Sequence, residues 1–133
     1  MHPPEFPENA EISVKYVKDG RRRRVNDNSG RVDPAPREQI WVEFPCASAA
    51  NRAFDYSVKV SEIVANVKRT LEEKRVFSPN GFLAPVRDTK PVVCAFSREN
   101  IPFERLLEVE ATPFDSWGNR GRSIVRQVRL ARP

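Results

Sequence analysis

The chain has 133 residues, of which 39% are apolar and 31% charged, with a formal net charge of +5. That balance suits one folded domain with an appended segment and excludes a chain that is disordered throughout. No apolar run approaches the roughly 18 residues that a membrane-spanning helix requires, and Met1-His2-Pro3-Pro4-Glu5-Phe6-Pro7 lacks the basic flank and apolar stretch of a signal peptide. The expectation is an intracellular protein, cytoplasmic or nuclear, with no membrane partner.

Residues 1–10, with Pro3, Pro4 and Pro7, read as a disordered or extended leader. Residues 11–37 read as a basic hairpin or arm followed by a linker. Ile12, Val14 and Tyr16 alternate with polar residues, and Asp19-Gly20 is a two-residue turn signal. The return limb, Arg21-Arg22-Arg23-Arg24, would put arginines on both faces of a strand, so neither face could be buried. It is an exposed edge, a loop, or an arm that contacts phosphates. Asn, Asp, Ser, Gly and Pro crowd residues 26–37, which places the main domain boundary there.

The main domain, residues 38–133, opens with a strand at 39–44. Trp41 and Phe54 are expected in the core. A second strand at 56–60 leads into the clearest helical pattern of the chain, residues 61–74. Ser61 can cap its start and Glu62 suits the positive end of the helix dipole. Ile63, Val64, Val67 and Leu71 form one apolar stripe, and Ser78-Pro79-Asn80-Gly81 stops it. Strands are expected at 82–84, 92–96 and 107–110, with a short helical turn within 101–107. A loop at 112–122 precedes a closing strand at 123–130.

Gln39-Ile40-Trp41-Val42, Val58-Lys59-Val60-Ser61-Glu62, Val64-Ala65-Asn66-Val67-Lys68 and Leu71-Glu72-Glu73-Lys74 together resemble the opening strand, second strand and main helix of ubiquitin-like proteins. The resemblance is close from Glu38 to Arg75 and follows the order of elements to the end. It implies an α+β fold, a ubiquitin-like β-grasp in which a mixed sheet packs on one main helix, with an N-terminal extension or added hairpin. The function it implies is a non-enzymatic protein-interaction module. The chain ends Ala131-Arg132-Pro133 rather than Gly-Gly, so conjugation through that terminus is not expected. The docking surface falls to Phe44, Gln127 and Arg129, around the last strand.

Catalysis is not legible. The one histidine, His2, lies in the leader, and Cys46 and Cys94 have no histidine base in the ordered chain. Both cysteines read as reduced, small apolar residues. No cofactor, metal or small-molecule substrate is expected, because zinc-type ligands number too few and no glycine-rich phosphate loop is present. Two arginine zones support an alternative, a basic protein that binds nucleic acid. Its contacts would be Arg21, Arg22, Arg23 and Arg24 in the arm and Arg120, Arg122 and Arg126 near the end, with Trp117 free to stack on bases. Each has a plainer reading, a solvated loop and a charge-guarded edge strand.

Overall fold

The computed structural model describes residues 3–19, 37–47, 53, 55–78 and 90–133. Its seven strands are β1 (Ser13–Asp19), β2 (Arg37–Phe44), β3 (Asp55–Val64), β4 (Val67–Phe77), β5 (Val92–Ser97), β6 (Leu107–Phe114) and β7 (Ile124–Val128). One sheet has the order β1-β2-β5 and the other β4-β3-β6-β7, and all pairings are antiparallel. The connections β2 to β3, β4 to β5 and β5 to β6 cross between the sheets. This is a Greek-key sandwich of three strands on four.

Two-residue alternation builds it. Ile40, Val42 and Phe44 of β2, with Val92, Cys94 and Phe96 of β5, point inward from one sheet. Tyr56, Val58 and Val60 of β3, with Leu107, Val109 and Ala111 of β6, meet them from the other. All are buried in one continuous core. The Phe44 and Tyr56 rings meet edge-on between the sheets at 5.3 Å. Each large apolar side chain buried in this way contributes about 1.5–3 kcal/mol.

The α+β β-grasp expectation is overturned. No α-helix occurs among the described residues; the one helical feature is a 3-10 turn at Arg98–Asn100. The opening strand β2 and the closing strand β7 lie in different sheets. Residues 61–74 form the end of β3, a two-residue turn and most of β4. Ala65 (φ 51°) and Asn66 (φ 64°) are both left-handed, as a type I′ hairpin turn requires. The supposed helical stripe does not share a face: Ile63 is half-buried, whereas Val64 and Val67 are exposed at the hairpin tip. β-Branched residues at 58, 60, 63, 64, 67, 70 and 76 favour strands, and pairing of β3 with two neighbours outweighed the helix propensity of Leu71-Glu72-Glu73-Lys74. Leu71 is the extra residue of a bulge where the register shifts beside Val60 and Ser61.

Trp41 corrects a second expectation. It lies on the outer face, opposite Lys15 and Ala95, and is half-buried. Its indole N–H donates to Gln39 Oε1 (2.8 Å), and Lys15 Nζ sits 5.6 Å from its ring centre. The strands expected at 39–44, 92–96, 107–110 and 123–130 overlie β2, β5, β6 and β7. The strand at 82–84, Phe54, Gly20 and Arg21 to Arg24 lie outside the described residues.

β1, read as one limb of an arm, pairs with β2 over seven residues. The leader lies against the sandwich: Phe6 packs on Phe44 (5.8 Å) and Tyr56 (6.0 Å). Two cations reach across the open flanks between the sheets. Lys74 Nζ donates to the Ala95 carbonyl (2.6 Å) and lies over the Phe96 ring, and Arg126 donates to the Ile12 carbonyl. Among the described residues no helix is long and apolar enough to cross a membrane.

Candidate functional site

Strand register fixes two ends. At the hairpin end lie the β3–β4 turn, the start of β6, the end of β7, the 3-10 turn, and the points where the chain leaves β1 at Asp19 and enters β2 at Arg37. At the loop end lie Phe44, Asp55, Phe77 and Phe114 with the β6–β7 loop.

The outer face of the four-stranded sheet neutralises itself. Lys68 Nζ reaches Glu108 (2.7 Å), Arg75 reaches Asp55 (2.8 Å) and Lys59 lies 3.9 Å from Glu110. Arginines gather at the hairpin end, around a cleft of about 470 Å3. Four arginines, Arg69, Arg98, Arg105 and Arg132, line it against two glutamates, Glu62 and Glu99. Glu62, only 8% exposed, is held by Arg69 at 3.3 Å on one oxygen and Arg105 at 3.7 Å on the other. Arg132 pairs with Glu104 at 3.5 Å. Arg98 lies over Phe103, its guanidinium carbon 4.4 Å from the ring centre. Its Nε is buried and has no acceptor, the one such side-chain nitrogen or oxygen found among the described residues. A buried donor without a partner costs about 1–3 kcal/mol.

The β6–β7 loop is built around Asp115. Its carboxylate accepts from Trp117 N (2.9 Å), Asn119 N (2.8 Å) and Asn119 Nδ2 (2.9 Å). Its backbone closes the turn with Gly118 and Asn119. Gly118, at φ +84°, supplies the left-handed step. Burial acts to raise the Asp115 pKa, but the hydrogen bonds from Asn119, Trp117 and Gly118 outweigh it and hold the carboxyl below its ordinary 3.8. The stabilisation from this group is therefore complete above that value and is lost as pH falls through the lower folded value. Acid unfolding of Asp115→Asn is expected to show a shallower fall in stability below pH 3.8 than the parent; identical slopes would contradict the assignment.

At the tip of this braced loop Trp117 is 80% exposed. Arg120, which bridges to Phe114, and Arg122 are exposed beside it in the chain. Arg75 stacks on the Phe114 ring at 3.8 Å, and Phe77 is 74% exposed two strands away.

The expected site residues are not gathered. Phe44 is buried and serves the core, so it offers no surface to a partner. Gln127 is exposed on the outer face of β7 opposite Glu108, and Arg129 lines a groove at the hairpin end with Val64 and Arg105. Trp117, Arg120 and Arg122 stand at the loop end, opposite the attachment points of the segment bearing Arg21 to Arg24. Arg126 is spent on the Ile12 carbonyl. Sequence reading missed Arg69, Arg98 and Arg105, which come together only through strand pairing.

Cys94 is buried, and burial pushes its thiol up to about 11 against the lowering effect of Lys74. It is no nucleophile at neutral pH. Among the described residues no group of three His, Cys, Asp or Glu side chains could hold a metal. A scan against protein-family models and searches of curated proteins and of solved structures find no match to this chain.

Proposed function

We propose that the protein is a non-enzymatic interaction module that presents Trp117 to another protein. One observation carries this reading: an indole 80% in water on a loop whose backbone is fixed by a buried carboxylate. An exposed tryptophan contributes little to this fold, and a pre-ordered aromatic anchor loses little freedom on docking. Flanking Arg120 and Arg122 favour an apolar pocket with an acidic rim.

The rival is nucleic-acid binding at the hairpin end. It is favoured by the five arginines there, Arg69, Arg98, Arg105, Arg129 and Arg132, and by β1 and β2 meeting there around the segment that contains Arg21 to Arg24. A single affinity experiment separates the two. Immobilised protein is exposed to nuclease-treated lysate, and the captured partner is then titrated against Trp117→Ala. Loss of at least about 2 kcal/mol of binding, roughly thirtyfold, is expected at unchanged melting temperature. Binding that is indifferent to Trp117, needs nucleic acid and collapses between about 50 and 200 mM salt would hand the function to the rival.

A further inference from the structure

We propose that the hairpin-end cleft is a binding site for a small phosphoryl-type oxyanion, in which Glu62 acts as a built-in competitor for the same arginines. The site stands apart from Trp117, so its success or failure leaves the proposed protein interface untouched.

Three observations carry it. The cleft has the size of a small-molecule site, and its four arginines outnumber Glu62, Glu99 and Glu104, the partner of Arg132. The Arg98 Nε is desolvated and unpaired, and that penalty is relieved only by an acceptor. The contacts of Glu62 with Arg69 and Arg105 are long for charge-assisted bonds, at 3.3 and 3.7 Å, where tight pairs fall near 2.7–2.9 Å. One carboxylate thus divides its two oxygens between two guanidinium groups. A tetrahedral dianion has more acceptor sites and a second charge. It can take the outward N–H groups of Arg69 and Arg105, with Arg98 beside them in the cleft wall. The Arg98 guanidinium rests over Phe103, and Tyr16 braces Phe103 edge-on at 5.4 Å, which restrains the fork beforehand. A planar fork that is fixed beforehand loses less freedom on binding than a mobile surface arginine.

The test is a titration of the full chain with inorganic phosphate, followed by amide chemical shifts. Shifts confined to residues 98–105 and to the neighbourhood of Glu62 and Arg69 are expected, saturating in the millimolar range. Arg69→Gln, at a mostly exposed side chain, and Arg98→Ala should each weaken binding about tenfold. Arg122→Ala, at the opposite end, should leave it unchanged. Glu62→Gln should tighten it several-fold, because the competitor loses its charge; a carboxylate that merely held the fold together would give no gain. Absence of saturable shifts at this cleft, or weaker binding by a folded Glu62→Gln, overturns the proposal. So does a cleft that answers to a single-stranded oligonucleotide and not to phosphate.

Discussion

Tyr56→Ala is expected to lower the unfolding free energy by about 3–5 kcal/mol, the range for removing a large buried aromatic. Tyr56 is fully buried and its ring meets Phe44 and Phe6, so it ties both sheets and the leader together. Its hydroxyl also accepts the Ala47 N–H at 2.9 Å, inside the β2–β3 crossing. Burial and the neighbouring Cys46 thiol push the phenol well above its ordinary value of 10.0, so it stays neutral at physiological pH. The Cys46 thiol donates in turn to the Lys90 carbonyl at 3.1 Å, joining the strand-crossing segment to the chain before β5. Tyr56→Phe keeps the ring and loses the acceptor. It leaves the Ala47 N–H stranded and is expected to cost about 1–3 kcal/mol. Urea unfolding of both variants measures the split. A Phe variant as stable as the parent would show that the ring alone matters.

Gly121→Ala is expected to destabilise by about 1–3 kcal/mol through overpacking. A Cβ at this position would lie 1.9 Å from the Pro4 carbonyl oxygen and 2.9 Å from Pro113 Cγ. The first obstacle is backbone, so the leader must lift away. The Gly121 N–H donates to the Pro113 carbonyl at 2.8 Å, which prevents the loop from yielding instead. Lifting Pro4 also draws Phe6 from the Phe44 and Tyr56 rings. A double-mutant cycle isolates the cause: in a chain shortened by residues 1–6, Gly121→Ala should cost far less. Equal costs in both backgrounds would place the strain elsewhere.

Much of the sheet framework was legible because β2, β5 and β7 carry short apolar or β-branched runs and β6 opens with alternating polarity. The β3–β4 hairpin was not. Its turn, Ala65-Asn66, lacks the glycine that announces a type I′ turn, and Ala65 accepts a left-handed conformation that costs about 1–2 kcal/mol. Its second strand carries the charges of a helix surface. The density of β-branched residues from 58 to 70 was the available signal, and a four-residue stripe at helical spacing masked it. The ubiquitin-like likeness drew on these same residues, so its helix fell with the stripe. The candidate cleft was invisible for another reason. Glu62, Arg69, Arg98 and Arg105 belong to β3, β4, the 3-10 turn and the segment before β6, and nothing local marks them as neighbours. Trp117 is exposed on its loop, and the stiffness of that loop depends on Asp115, to which the sequence gives no visible role.

Lys74 and Arg126 have a consequence for assembly. The backbone oxygens of Ala95 and Ile12 lie on the outer margins of the three-stranded sheet, where a foreign chain would begin to zip on. Each is already engaged by a cation from the molecule's own second sheet, and the facing margin β4 is bulged and studded with Lys68, Arg69, Lys74 and Arg75. Polymerisation by strand addition is thereby discouraged from within, and a concentrated solution of this protein should stay free of fibrils until one of those two side chains is neutralised.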